Sequence, residues 1–313
     1  MIYYAVTHLT VYKYSEPITD SVMEIRKQPR TEKNQRNLRF NLEVSPSAKV
    51  THYTDYLGNV IHHFDIPAPH EQLAVKSEAI VEVKPLAELP EKVEWDVWDA
   101  LDAIADDYTY FDMLTPGPYT HSSALLDRFA QEINLGRHSD PLTVLRDLNT
   151  TIATSFEYQQ SVTRVDSPID IALDLRRGVC QDFTHIMLTL VRRLGIPARY
   201  VSGYLFHRTD TYDRSDEDAS HAWLEAWLPG LGWVGFDPTN NMLVTDRHIR
   251  VCIANDYANA SPSRGVFRGF AETELSVQVD VRKLDEIPLD DVPTQSEIVM
   301  PSYGYYQQQQ QQQ

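Results

Sequence analysis

The hydrophobic period changes from two to helical near Pro85 and Pro90, and that change limits the folds open to this chain. Ahead of the two prolines, nonpolar residues recur at every second position. Tyr3, Ala5, Thr7, Leu9 and Val11 alternate with a set that starts at Ile2, Tyr4 and Val6. Leu38, Phe40, Leu42 and Val44 alternate with Arg39, Asn41 and Glu43. Successive side chains of a strand point to opposite faces, so a period of two predicts strands. Leu57-Gly58-Asn59 predicts a hairpin turn between two of them. A further strand is expected over residues 73–83, with Lys76, Glu78 and Glu82 on its other face. Residues 1–85 therefore predict a small antiparallel β-sandwich domain.

Past Pro90 the spacing becomes helical. Trp95, Trp98, Leu101, Ile104 and Ala105 share one face. Pro116-Gly117-Pro118 breaks the chain. Leu125, Leu126, Phe129 and Ile133 predict a second helix after Ser122. Ser139-Asp140-Pro141 marks the start of a third, an N-cap with proline in the first turn, and Leu142, Leu145, Leu148 and Ile152 form its apolar face. Phe183, Ile186, Met187, Leu190, Val191 and Leu194 predict a fourth, stopped by Gly195 and Pro197. Strands are expected at 198–206, 222–228, 233–236 and 272–283. These segments predict one α+β unit over residues 86–284. The tail, 285–313, holds Pro288, Pro293, Pro301 and the run Gln307 to Gln313, a composition that predicts disorder.

Composition narrows function by exclusion. The 313 residues carry a formal net charge of −17, with 28 basic against 45 acidic side chains. Nucleic acid is therefore not expected as a partner. Cys180 and Cys252 are the two cysteines, which excludes a disulfide-stapled scaffold and an all-cysteine metal site. No basic segment followed by an apolar one opens the chain, and no run approaches the roughly 18 to 20 apolar residues that span a bilayer. The expectation is a cytoplasmic protein with reduced thiols and no membrane partner.

The chemistry points to Cys180. Gly178-Val179-Cys180 enters the fourth helix directly. Free N–H groups and partial positive charge at a helix start favour a thiolate and can hold an oxyanion. Arg176 and Arg177 add positive potential upstream. A thiol nucleophile needs a proton acceptor, and His221 at the head of a strand is the candidate. The turn Pro229-Gly230-Leu231-Gly232 makes an antiparallel hairpin that returns Asp237 toward His221, where a carboxylate would orient the imidazole. Taken singly, each residue has a structural reading: a buried cysteine, a packed histidine, an aspartate in a turn.

Three separated blocks resemble the transglutaminase-like superfamily. They are Arg177-Gly178-Val179-Cys180-Gln181-Asp182-Phe183 running on to Leu194-Gly195-Ile196-Pro197; Ser220-His221-Ala222-Trp223; and Gly232-Trp233-Val234-Gly235-Phe236-Asp237-Pro238-Thr239-Asn240. Residues 4–14 and Asp55-Tyr56-Leu57-Gly58-Asn59 resemble the β domain of the bacterial branch. The resemblance implies a papain-like α+β core, with Cys180 as nucleophile, His221 as general base and acid, and Asp237 as orienting carboxylate. Attack on a carboxamide or peptide carbonyl would give a thioester acyl-enzyme. Water then gives hydrolysis, and an amine gives transamidation. Hydrolysis stands ahead, because nothing in the sequence shows a second protein-sized cleft. A non-catalytic binding module on the same fold is the competing class. The family pattern also suggests an upstream oxyanion donor, for which Tyr158 is the candidate; packing of its ring in the core is the alternative. No acidic run is spaced like a calcium loop, and no cofactor or metal is expected. The substrate is a protein or peptide.

Four other features carry smaller expectations. Asp182 either stabilises the helix start or shapes the site. His185, five residues from Cys180, faces elsewhere. His52, His62, His63 and His70 are not expected to share a metal, since adjacent strand residues point apart. The stretch from Asp210 to Asp218 is expected as a solvated acidic loop at the cleft rim, where it would favour cationic substrates.

Overall fold

A single long strand organises the first third of the molecule. The computed structural model describes residues 1–208, 213–216 and 219–286. β1 (Ile2–Ile25) runs the length of two ordinary strands. Its first half pairs with β5 (His70–Val83), from Ile2↔Val83 to Lys13↔Gln72. Its second half pairs with β4 (Val60–Ile66), from Ser21↔Ile66 to Ile25↔His62. The register shifts between Lys13 and Ile18, and Asp20 takes a left-handed φ of 52°. Such an irregularity bends a strand, so β1 feeds both halves of one curled sheet. β2 (Gln35–Ser45) extends the sheet beyond β5, and β3 (Thr51–Thr54) extends it beyond β4. Tyr12, Ile18, Ile25, Phe64, Leu73 and Val75 fill the curl.

The helical region follows the periodic pattern except around the first helix, past whose end Ala105 is exposed. α1 (Val97–Ala103) buries Trp98 and Leu101. Trp95 precedes the first turn and stays 56% exposed, contrary to its expected place on the inward face. After the short α2 (Phe111–Leu114) comes α3 (Ala124–Glu132), where the Ser123 hydroxyl accepts the Leu126 N–H at 3.1 Å. α4 (Pro141–Ser155) starts as the sequence predicts: Asp140 Oδ1 accepts the N–H groups of Leu142 and Thr143, and Pro141 occupies a position whose N–H would have no helical partner. β6 (Glu157–Tyr158), α5 (Ile169–Leu175) and β7 (Arg177–Gly178) lead into α6 (Cys180–Arg193). Gly195, at φ 79°, ends α6 with its N–H on the Arg192 carbonyl.

α6 packs on an antiparallel sheet of β8 (Ala198–Leu205), β9 (His221–Leu228), β10 (Gly232–Asp237), β11 (Met242–Leu243) and β12 (His248–Ala254), ordered β11–β10–β9–β8–β12. Phe183, Ile186, Leu190, Tyr200, Leu224 and Phe236 are among its fully buried residues. α7 (Tyr257–Ala260) follows β12.

The last two strands sit elsewhere than expected. β13 (Ser263–Arg268) and β14 (Thr273–Leu284) follow the core in sequence yet pair with β1, through Val22↔Val266 and Tyr4↔Lys283. The long β1 carries two edges of unpaired backbone groups, and these strands satisfy the ones that β4 and β5 leave open. The sheet and the core are joined at Asn59. Its side-chain amide donates to the Ile253 carbonyl and accepts the Ile253 N–H, at 2.8 and 2.9 Å. Among the described residues no helix is long and apolar enough to cross a membrane. The polyglutamine run lies outside the described residues.

Candidate active site

The N-terminus of α6 sets the position of Cys180. Val179 is extended and Cys180 is the first helical residue, half-buried at the cleft. Asp182 reaches back: its Oδ2 accepts the Val179 N–H at 2.9 Å and the Thr163 hydroxyl at 2.6 Å. A capping acid at this position satisfies an N–H the helix cannot. Gly178 makes room for it, since a Cβ there would lie 2.6 Å from the Asp182 carboxylate. Burial raises the Asp182 carboxyl to about 6. Tyr158 reaches the same place through a two-residue parallel bridge, Tyr158↔Gly178. It lines the cleft together with Cys180, Gln181 and His221. Burial, reinforced by Cys180 and Asp216, raises its hydroxyl well above the ordinary value, so the group stays a hydrogen-bond donor.

The β9–β10 hairpin supplies the imidazole and carboxylate. Phe236 pairs with Leu224, so Asp237 falls diagonal to His221 on one face of the sheet. His221 Nε2 donates to Asp237 Oδ2 at 2.8 Å, and both side chains are buried. Asp237 Oδ1 accepts the N–H groups of Thr239 and Asn240 at 3.0 and 3.2 Å. The Asn240 side chain adds a bond to Oδ2 at 2.8 Å. Its own carbonyl accepts the Arg214 and Ser215 N–H groups, which fixes the amide orientation.

The charges divide accordingly. Burial works to lower the His221 pKa, but the charge and hydrogen bond of Asp237, with Cys180 alongside, lift it to about 10. Burial would raise the Asp237 carboxyl; His221 and the hydrogen bonds from His221 and His248 hold it far below the usual range. His221 Nδ1 is buried without a hydrogen bond of its own. It is the ring atom left for Cys180, since Asp237 occupies Nε2.

A third member of this cluster was not foreseen. His248 Nε2 lies 3.3 Å from Asp237 Oδ2. β9 and β8 lie between β10 and β12 in the sheet, and the two side chains meet over them. Gly203 lies between His221 and Arg250 in the register. A Cβ there would stand 2.2 Å from the Ile249 carbonyl and 2.6 Å from the Trp223 ring. His221, Asp237 and His248 offer three donor atoms within 4.8 Å of one another. The bonds of Asp237 to both rings already use all three atoms.

The remaining expectations divide. His185 faces away from Cys180, stacked on Tyr119 with its Nε2 accepting the Tyr257 N–H. Trp223 is wholly buried against His248, and Trp227 packs on Trp233. Arg199, whose acid partner the sequence left open, pairs with Glu225 at 2.6 Å. The acidic stretch is not wholly a solvated loop. Asp213 is buried between Arg247 and His207, because Arg247 needs a counter-charge in a nearly closed site. Asp216 bonds Gln160, which lines the cleft. Residues 209–212 and 217–218 lie outside the described residues. The His62 ring lies tilted against His52, whereas His70 bonds Ser21.

Two family models match the chain: the bacterial transglutaminase-like N-terminal region over residues 4–82, and the transglutaminase-like superfamily core over residues 127–238. An uncharacterised protein of Mycobacterium leprae is 33% identical over 280 residues, 89% of this chain and 98% of that one. A stretch of 88 residues is 33% identical to the protein-glutamine gamma-glutamyltransferase of Pseudomonas aeruginosa, covering 27% of this chain and 13% of that one. The crystal structure of a candidate cysteine protease from Cytophaga hutchinsonii superposes with a TM-score of 0.71 at 21% identity, over 95% of this chain and 94% of that one. The chain thus belongs to the transglutaminase-like superfamily, in the form that begins with the bacterial N-terminal region.

Proposed function

We propose that this protein is a cysteine-nucleophile enzyme that hydrolyses amide bonds, in peptides, isopeptides or side-chain carboxamides. The observation that carries the reading is the lining of one cleft by Cys180, at an open helix end, and by His221, bound behind to Asp237. In this reading the three form a Cys-His-Asp triad. His221, whose affinity for a proton Asp237 raises, holds the proton drawn from Cys180 while the thiolate Sγ bonds to the carbonyl carbon. The oxyanion meets the N–H groups of the first turn of α6 and the Tyr158 hydroxyl. Collapse breaks the C–N bond, His221 returns the proton to the departing amine, and a thioester remains. Water, deprotonated by His221, then releases the acid and restores the thiol.

Transamidation is the second reading, favoured by the 33% identity to a gamma-glutamyltransferase over 88 residues. It differs only in the acceptor, an amine in place of water. The test is a library of peptides and glutamine-bearing proteins, assayed with and without a primary amine and with Cys180→Ala as control. Cys180-dependent fragments or ammonia release support hydrolysis. Cys180-dependent amine incorporation replaces it with transamidation, and no Cys180-dependent product in either arm overturns both.

A further inference from the structure

His248 is buried with none of its side chain exposed, and the triad reading gives it no task. Two hydrogen bonds define its protonation. The Thr245 N–H donates to Nδ1 at 3.1 Å, so Nδ1 carries a lone pair. A neutral imidazole has one N–H, which must then sit on Nε2, the atom 3.3 Å from Asp237 Oδ2. The ring is fixed by Trp223, edge-on at 5.1 Å.

We propose that His248 is a positioning residue for this site: as a neutral donor it pins Asp237 Oδ2 and shares its charge, so that His221 alone bears the mobile proton. This rests on the reading that His221 handles the Cys180 proton. Two imidazoles on one carboxylate could otherwise compete for one positive charge. They are not equivalent here. Burial keeps His248 below its ordinary value, and His221 and Arg247 add to that effect against the pull of Asp237. Arg247 is itself paired with Asp213. The Nε2–H of His248 also withdraws negative charge from Oδ2. Without it the carboxylate would grip His221 more tightly, and His221 would release its proton less readily to a leaving amine.

The experiment is histidine-selective 15N NMR on the full chain, comparing wild type with His248→Phe and His248→Gln. Phenylalanine keeps a ring and loses the donor; glutamine keeps an N–H close to the Nε2 position. In wild type near pH 7, His248 is expected with Nε2 protonated and Nδ1 bare. His248→Phe is expected to raise the proton affinity of His221 roughly tenfold, about one pH unit, the scale of one lost hydrogen bond to a charged group. His248→Gln is expected to restore most of that shift. A doubly protonated His248 ring in wild type overturns the proposal, without any variant having to fold. So does a His221 titration unmoved by phenylalanine, or one moved equally by both variants alongside a lower Tm, which marks packing alone. Failure of the nucleophile reading shows separately, as a wild-type Cys180 that no thiol reagent labels ahead of Cys252, and it leaves the His221 titration readable.

Discussion

Cys180 opens a helix at a cleft, while Cys252 lies inside β12 with none of its surface exposed. Both follow a valine in the sequence. Around Cys180 the polar groups face the thiol: the first turn of α6, His221, and Asp237 behind it. Around Cys252 they clamp the backbone. Asn59 holds both polar groups of Ile253, and the thiol meets only the Ile253 and Asn259 carbonyls, at 3.9 and 3.8 Å. Burial pushes the Cys252 thiol up to about 12. The same side chain is thus presented at a helix start and sealed within a strand, and the difference lies in what docks over it.

The largest effect separates the two by substitution. Cys180→Ala should reduce amide hydrolysis by about 10⁴-fold or more, because a lost nucleophile leaves only binding and oxyanion contacts. Cys252→Ala should leave kcat nearly unchanged and cost about 1 kcal/mol of stability in a denaturant melt. Comparable loss of activity in both would break the contrast.

Next in size is the charge behind Cys180. Asp237→Ala strips His221 of its buried partner and should cost about 3 to 5 kcal/mol. The sign with pH follows from both partners. His221 is raised above 6.5, so its contribution is whole below 6.5 and fades as pH rises toward about 10. Asp237 is depressed below 3.8, so its contribution is whole above 3.8 and fades in acid. The gap between wild type and variant, read from urea melts, should be widest between these values and narrow on either side. A gap that is flat from pH 4 to 10 would remove the ion pair from the account.

The contrast can also be read chemically. Iodoacetamide at neutral pH should label Cys180 at least about 100-fold faster than Cys252, which reacts only when its surroundings open. Asn59→Ala removes the clamp on Ile253 and should raise the Cys252 rate severalfold while leaving Cys180 unchanged. Mass spectrometry of the two cysteine peptides reads both rates, and an unaltered Cys252 rate would show that the hairpin is not its seal.

What the sequence reveals follows the length of the contact. The His221–Asp237 pair is legible because a tight turn, Pro229 to Leu231, fixes the register of β9 and β10. His248 is not, since it meets Asp237 across two intervening strands, β9 and β8, a proximity that no local spacing encodes. β14 shows the same limit: its period of two is plain, but its partner is more than 250 residues away at β1. Tyr158 was reachable only by resemblance, because the bridge that carries it is two residues long. Trp95 shows the reverse, a correct period whose helix starts two residues too late to use it.

The smallest effect tests whether geometry or charge makes the Cys180 setting. Asp182 is a buried carboxylate whose pKa is raised to about 6 by burial, despite its bonds from Thr163 and the Val179 N–H. A raised acid stabilises the fold most fully below its unfolded value of 3.8, and that contribution is lost as pH rises through about 6. At neutral pH the ionised group is therefore a cost, offset by the capping bond. Asp182→Asn keeps an oxygen to accept the Val179 N–H and drops the charge. In urea melts the difference in stability between this variant and wild type should move only between pH 3.8 and 6. Labelling of Cys180 should persist at nearly the same rate, since the helix end and His221 are untouched. A tenfold change in that rate would assign the setting to the charge of Asp182, and the helix start would then matter to Cys180 only through the carboxylate it holds.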